Sequence, residues 1–297
     1  MRTSCRLLLT FVLVTALLPV APVAAQQKAD PVAPLLWQPS MNIFRRFTVD
    51  RAKMIEFYGK VLALRPLSTF ELGGGSQMTR FGVGTSEIKL TASLPRDRQY
   101  PTGGVKEVTG LRVITFFFPD EAQLTARFKA NGYPAPEFHN NRAMVKDPAG
   151  EWVELVVAPG APASTFDRIE VGLTVSDIEK SRAFYREFVG LEELPPVHDA
   201  QLGTTKYPYR HGTTTVNLWS FGKGLPANTG TSGIQYVVSD AAGVDVRAKA
   251  TNQKIDSALG FTLPGLKTIW LSDPDGVTNY FAETNQSRTA PRPTATR

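Results

Sequence analysis

The sequence predicts an α+β fold built from four βαβββ units, and three observations carry that prediction. First, FYGKVLALRPL (57–67) and FYREFVGLEEL (184–194) are near copies, with Phe57 and Phe184 lying 127 residues apart. Second, DPAGEWVEL and DPDGVTNYF repeat at almost the same interval, 126 residues from Asp147 to Asp273. Two separate landmarks with one offset mark a tandem duplication. Third, each half divides again into strand, helix and short strands, as the switch between the 2-residue and 3.6-residue apolar periods shows.

Along the chain, residues 1–25 read as a secretory signal peptide: Arg2 and Arg6 precede an apolar run over 7–18, and small residues lead to a cut after Ala25. The run is short for a membrane span, which needs about 20 apolar residues. The first unit has a strand over 43–49, a helix over 52–62 and three short segments at 64–71, 77–83 and 87–92. In the second unit the strand falls at 111–118, the helix at 121–131 and shorter strands at 135–139, 143–146 and 152–157. The second half repeats this with strands at 169–175 and 234–238 and helices at 178–189 and 242–252. A helix in such a unit buries one face, so it covers one side of a mostly antiparallel sheet. These boundaries give two repeat domains, 41–157 and 167–284, joined by the Pro- and Ala-rich linker 158–166. Residues 285–297 are polar and read as a disordered tail.

Composition excludes several chemistries. The one cysteine, Cys5, lies in the leader, so the remaining chain has no disulfide, thiolate metal site or cysteine nucleophile. Without Arg2 and Arg6, 31 basic residues face 27 acidic ones, and no basic block points to nucleic acid. No phosphate-binding loop, dinucleotide fingerprint or G-x-S-x-G elbow occurs. The Gly-rich ELGGGSQ (71–77) sits between two strands and reads as a hairpin tip.

IEVGLTVSDIEKSRAFYREFVGLEEL, the Phe-Tyr pairs and the DPxG turns resemble the vicinal oxygen chelate superfamily of glyoxalases, extradiol dioxygenases and bleomycin resistance proteins. The resemblance spans about 41–157 and 167–284. It implies two cups, each closed by a pair of units, with a divalent metal held by residues on the first and last strands. The matching positions are Phe44, Lys89, Val113 and Glu154 in the first half, and Glu170, Asn217, Gly233 and Tyr280 in the second. A catalytic metal needs about three His, Asp or Glu ligands. Each half, taken as one cup, offers a single carboxylate, so no cofactor is expected, with a divalent metal on Glu154, Glu170 or His211 as the alternative.

Strand parity supplies the binding candidates. Arg46, Lys89 and Thr91 share the inward parity of Glu154, which suits an anionic or zwitterionic ligand or else an internal ion pair of Glu154 with Lys89 or Arg46. In the second half Glu170, Asn217, Trp219, Gln235 and Tyr280 point inward. Glu170 is a candidate general base or a hydrogen-bond partner of Tyr280. His139, His198 and His211 fall in loops or turns. The sequence therefore reads as an exported protein that binds a small organic molecule in a cup without the metal. A metal-dependent dioxygenase or glyoxalase-like lyase, and a protein-interaction module, are the alternatives. No nucleic acid or stable membrane insertion is expected, and homodimer formation is left open.

Overall fold

The computed structural model describes residues 30–73, 75–97 and 99–293. The expected leader, 1–25, lies outside them. The first unit comprises β1 (Asn42–Arg46), α1 (Arg51–Glu56), β2 (Arg65–Gly73), β3 (Ser76–Val83) and β4 (Ser86–Thr91). The second comprises β5 (Gly110–Phe118), α2 (Glu121–Ala130), β6 (Arg142–Lys146) and β7 (Trp152–Val157). In the third, β8 (Ile169–Thr174) and α3 (Ile178–Ala183) lead to the short β9 (Glu192–Glu193) and β10 (Val197–Asp199), then β11 (Thr204–His211) and β12 (Thr214–Trp219). The fourth has β13 (Ser232–Val238), α4 (Ala241–Ala250), β14 (Lys254–Leu263), β15 (Leu266–Ser272) and β16 (Thr278–Thr284).

The same physics starts each helix. Asp50, Asp120, Asp177 and Asp240 stand just before the four helices and accept the backbone N–H of Ala52, Gln123, Lys180 and Gly243. Such a cap is worth about 1 kcal/mol. The duplicated Phe-Tyr pairs have a shared local consequence. α1 and α3 each widen into a π-helical turn, at Phe57–Val61 and Phe184–Val189. There the tyrosine is fully buried, and its hydroxyl donates to the aspartate of the following unit's DPxG turn. Both bonds, Tyr58 to Asp147 Oδ2 and Tyr185 to Asp273 Oδ2, measure 2.9 Å. The other carboxylate oxygen of each aspartate accepts two turn amides, Ala149 and Glu151 in one case and Asp275 and Val277 in the other. The two repeated motifs are thus the two ends of one buried hydrogen bond.

Those bonds tie unit one to two and unit three to four, but the sheets pair the units differently. One eight-stranded sheet runs β14-β15-β16-β13-β1-β4-β3-β2, and the other runs β10-β11-β12-β8-β5-β7-β6 with β9 on β11. The first joins the outer units, one and four, through the antiparallel pair β1–β13. The second joins the inner units, two and three, through β5–β8. Grouping the inward residues by sequence half therefore needs correction: each cup draws one unit from each half. The helices and the helix-facing residues of both sheets form one continuous apolar core, running from Ile43 and Phe57 through Phe116 and Val171 to Tyr236 and Phe281.

Two expectations fail locally. No strand forms over 135–139; only His139 bridges Arg142, across a tight turn with Asn140 and Asn141 at positive φ. Pro134 and Pro136 remove donors from that segment, which prevents a ladder. The supposed tail begins instead with α5 (Asn285–Thr289), started by a capping box between Thr284 and Ser287 and fastened by the Trp37 indole N–H donating to the Ala290 carbonyl at 3.0 Å. Among the described residues no helix is long and apolar enough to cross a membrane.

Candidate functional site

The outer-unit cup brings together Phe44, Lys89, Gly233 and Tyr280. Phe44 lies opposite both Lys89 and Gly233 in the ladder, and Gln235 lies beside Tyr280. Tyr280 stacks on Trp270 at 4.5 Å, and Phe44 closes the group 5.6 Å from Tyr280. Gly233 is required here, because a side chain would collide with the Phe44 ring. Above these rings lies a cavity of about 480 Å³ that contains Lys89, Gln235, Tyr280 and Asn42. Burial pushes the Tyr280 phenol well above its usual range, and the nearby Glu87 charge adds to this.

The inner-unit cup brings together Val113, Glu154, Glu170 and Asn217. Along the row Glu154–Thr115–Glu170, the two glutamates are two strands apart, with backbones about 9–10 Å apart at the usual strand spacing. Each is engaged. Glu154 accepts from the Arg142 guanidinium at 2.7 Å and from the Thr115 hydroxyl at 2.8 Å. Glu170 accepts from Asn217 Nδ2 at 2.7 Å, with Arg168 at 3.4 Å and Lys206 at 4.0 Å. Arg142 also lies 3.7 Å from Asp199. Burial alone would lower the Arg142 pKa, but Glu154, Asp199 and Glu170 together raise it. The cation between Glu154 and Asp199 is a guanidinium.

That arrangement decides the fit of a divalent metal. One cup presents two aromatic rings, a glycine and a lysine at the family's ligand positions. The other presents a valine, an asparagine and two carboxylates, of which Glu154 is already neutralised by arginine. Neither donor set supplies three His, Asp or Glu ligands around one point. Among the described residues no group of three or more such side chains is arranged to hold a metal ion. The residues present do not fit the superfamily's metal.

The inner cup has another property. Trp152, Trp219, Val113, Met144 and Leu202 enclose a cavity of about 180 Å³, with Arg142 and Glu154 on its wall. Arg142 and Gln201 also line a second cavity of about 370 Å³, with His139, His198, Asp199 and Lys206. Trp219 lies directly on Gly172, where any side chain would collide with the ring. The indole N–H groups of Trp152 and Trp219 and the Asn217 Oδ1 are buried without a hydrogen-bond partner. Buried polar atoms are normally paired, so these three stand out.

The sequence candidates thus fall into separate sites. Lys89, Gln235 and Tyr280 share the outer cup, while Glu154, Glu170, Asn217 and Trp219 share the inner one. Glu154 pairs with Arg142 rather than with Lys89 or Arg46, because its β7 neighbour is β6 and not β4. Glu170 bonds Asn217 and cannot meet Tyr280, which is in the other cup. Arg46 lies outside both: it donates to the Ser93 hydroxyl at 3.1 Å and carbonyl at 3.0 Å, and faces a cleft of about 390 Å³ with Arg96 and Tyr100. His211 donates through Nε2 to the Gln38 carbonyl at 2.7 Å, outside the cup cavities, and burial lowers its pKa. Arg142, Trp152 and Trp270 were missed by the sequence reading. Trp152 shares the parity of Glu154 two residues on, so the signal for it was present.

The chain thus carries two curled sheets, each built from a pair of βαβββ units. Residues 40–155 match the sequence profile of the Glyoxalase/Bleomycin resistance protein/Dioxygenase superfamily. Over those residues the chain matches that superfamily. Among solved structures it is similar to glyoxalase I from Zea mays, at 21% identity and a TM-score of 0.62, over 82% of this chain and 92% of that one. It is also similar to a putative dioxygenase from Bacillus subtilis, at 15% identity and a TM-score of 0.59, over 84% and 86% of the two chains. At these identities the likeness is one of fold. No curated protein sequence matches the chain significantly.

Proposed function

We propose that this protein binds a small, planar organic molecule in the inner-unit cup without a divalent metal. One observation carries the reading: Trp152 and Trp219, whose indole N–H groups are buried without a partner, wall a mostly apolar cavity edged by Arg142, Glu154 and Gln201. Ligand pockets combine such walls with a few convergent polar groups. Two indole donors select a molecule with acceptor oxygens, its ring lying against the indole faces. Arg142 supplies the fixed charge that a metal would otherwise provide, and so favours an anionic substituent. If residues 1–25 act as the export signal expected from the sequence, the ligand is met outside the cytoplasm.

Tryptophan emission tests the proposal, because Trp152 and Trp219 are two of only four tryptophans. Titration with phenolic and nitroaromatic acids, in the presence of chelator, is expected to give saturable quenching. Trp152→Phe/Trp219→Phe should abolish it while Trp37 and Trp270 keep their emission. Unsaturable quenching, or the same curve in the double variant, would overturn the reading.

A further inference from the structure

The outer-unit cup holds chemistry that the ligand proposed for the inner cup does not use. Its cavity is walled by Phe70, Leu72, Met78, Val237, Leu266 and Tyr280, and Lys89 of β4 projects into it. Only a tenth of the Lys89 side chain is exposed. Its amine donates to Gln235 Oε1, an oxygen that also accepts from Asn42 Nδ2 at 3.1 Å. The nearest carboxylate oxygen, on Glu87, is 3.4 Å away. Glu87 is itself held by Arg80, through contacts of 3.0 and 3.2 Å to its two oxygens. Lys89 therefore shares the Glu87 counter-ion with Arg80.

The charged groups facing this amine are Glu87 from its own strand and Arg80 from β3, while β13 contributes the neutral Gln235. Burial pushes the Lys89 ammonium down, Arg80 works in the same direction, and Glu87 opposes both. Desolvated lysines in apolar pockets are the ones that act as nucleophiles toward carbonyl compounds.

We infer that Lys89 captures an apolar aldehyde or ketone in the outer cup as an imine. The Nζ lone pair attacks the carbonyl carbon, forming the C–N bond as the C=O π bond opens. The two amine protons and the carbonyl oxygen then leave as one water, giving C=N without an oxidant or reductant. Glu87, 3.4 Å from Nζ, is placed to take up the first proton. Tyr280, stacked on Trp270, forms the aromatic floor against which a flat carbonyl compound would lie.

The test uses the full chain at pH 7 with benzaldehyde as the probe and cyanoborohydride as the trap. Peptide mass mapping over a time course then locates the benzyl group. Lys89 is expected to be labelled at least ten-fold faster than Lys60, Lys180 and Lys254, which are exposed and set the unassisted rate. Lys89→Gln should remove the fast phase and leave labelling of those three unchanged. If Lys89 in the unaltered protein is labelled no faster than the exposed lysines, the inference is wrong, whether or not the variant folds. Neither result depends on ligand binding at Trp152 and Trp219, so the two proposals fail separately.

Discussion

Asp273 offers a sharp test of how the duplicated motif is built. Its carboxyl is fully buried beneath the fourth unit's turn, with Tyr185 on one oxygen and two backbone amides on the other. Desolvation pushes its pKa from 3.8 up to about 7, against the lowering effect of those hydrogen bonds. In the first half, Asp147 occupies the same position but has the Arg45 guanidinium 3.3 Å away. Val171 stands at the site that matches Arg45, so no arginine accompanies Asp273. Below about pH 4 its carboxyl is protonated in both folded and unfolded chains and costs nothing. Between about pH 4 and 7 the unfolded chain ionises while the folded one keeps its proton, so stability falls as pH rises and levels off above 7. At about 1.4 kcal/mol per pKa unit, roughly three units give a loss of about 4 kcal/mol. Asp273→Asn preserves an oxygen for the turn amides and removes the titration. Urea unfolding at pH 5 and pH 8 should therefore show the variant gaining about 2–4 kcal/mol on the unaltered protein between the two values. A difference that stays constant within about 1 kcal/mol would refute the assignment of a protonated, uncompensated Asp273.

Other substitutions probe the remaining architecture. Arg45→Met strands Asp147 beneath the sheet and should cost about 3–5 kcal/mol in urea unfolding, with partial recovery in Arg45→Met/Asp147→Asn. Gly172→Ala forces Trp219 off β8; a loss of about 1–3 kcal/mol in stability is expected, together with loss of the saturable fluorescence response. Arg142→Met releases Glu154 and Asp199 from their cation and should weaken binding of an anionic ligand at least ten-fold, about 1.4 kcal/mol by titration.

Much of this fold was legible because it repeats local chemistry. Phe57-Tyr58 and Phe184-Tyr185 fall on helical spacing, the four N-terminal aspartates precede the helices, and each DPxG turn follows from proline and glycine preferences. Which unit joins which sheet was not legible, because all four present the same strand pattern to any partner. The choice lies in single long-range fits between units, such as the Phe44 ring over Gly233 and Val113 against Gly172. Lys89, Glu154 and Trp219, given inward parity, line the outer and inner cavities, whereas Arg46 with the same parity faces a separate cleft; the assignment to cups depended on the unit pairing. Arg142 stayed hidden because its role depends on β6 lying beside β7, which brings it to Glu154.

The central claim is that the cups bind without the superfamily's metal. Metal content is its most direct test: purified protein exposed in turn to Mn, Fe(II), Ni and Zn, desalted at neutral pH, then assayed for metal per chain. The account predicts a small fraction of one equivalent in each case, with ligand-induced quenching unchanged by chelator. About one tightly held metal per chain, lost when Glu154 or Glu170 is changed to alanine, would contradict it.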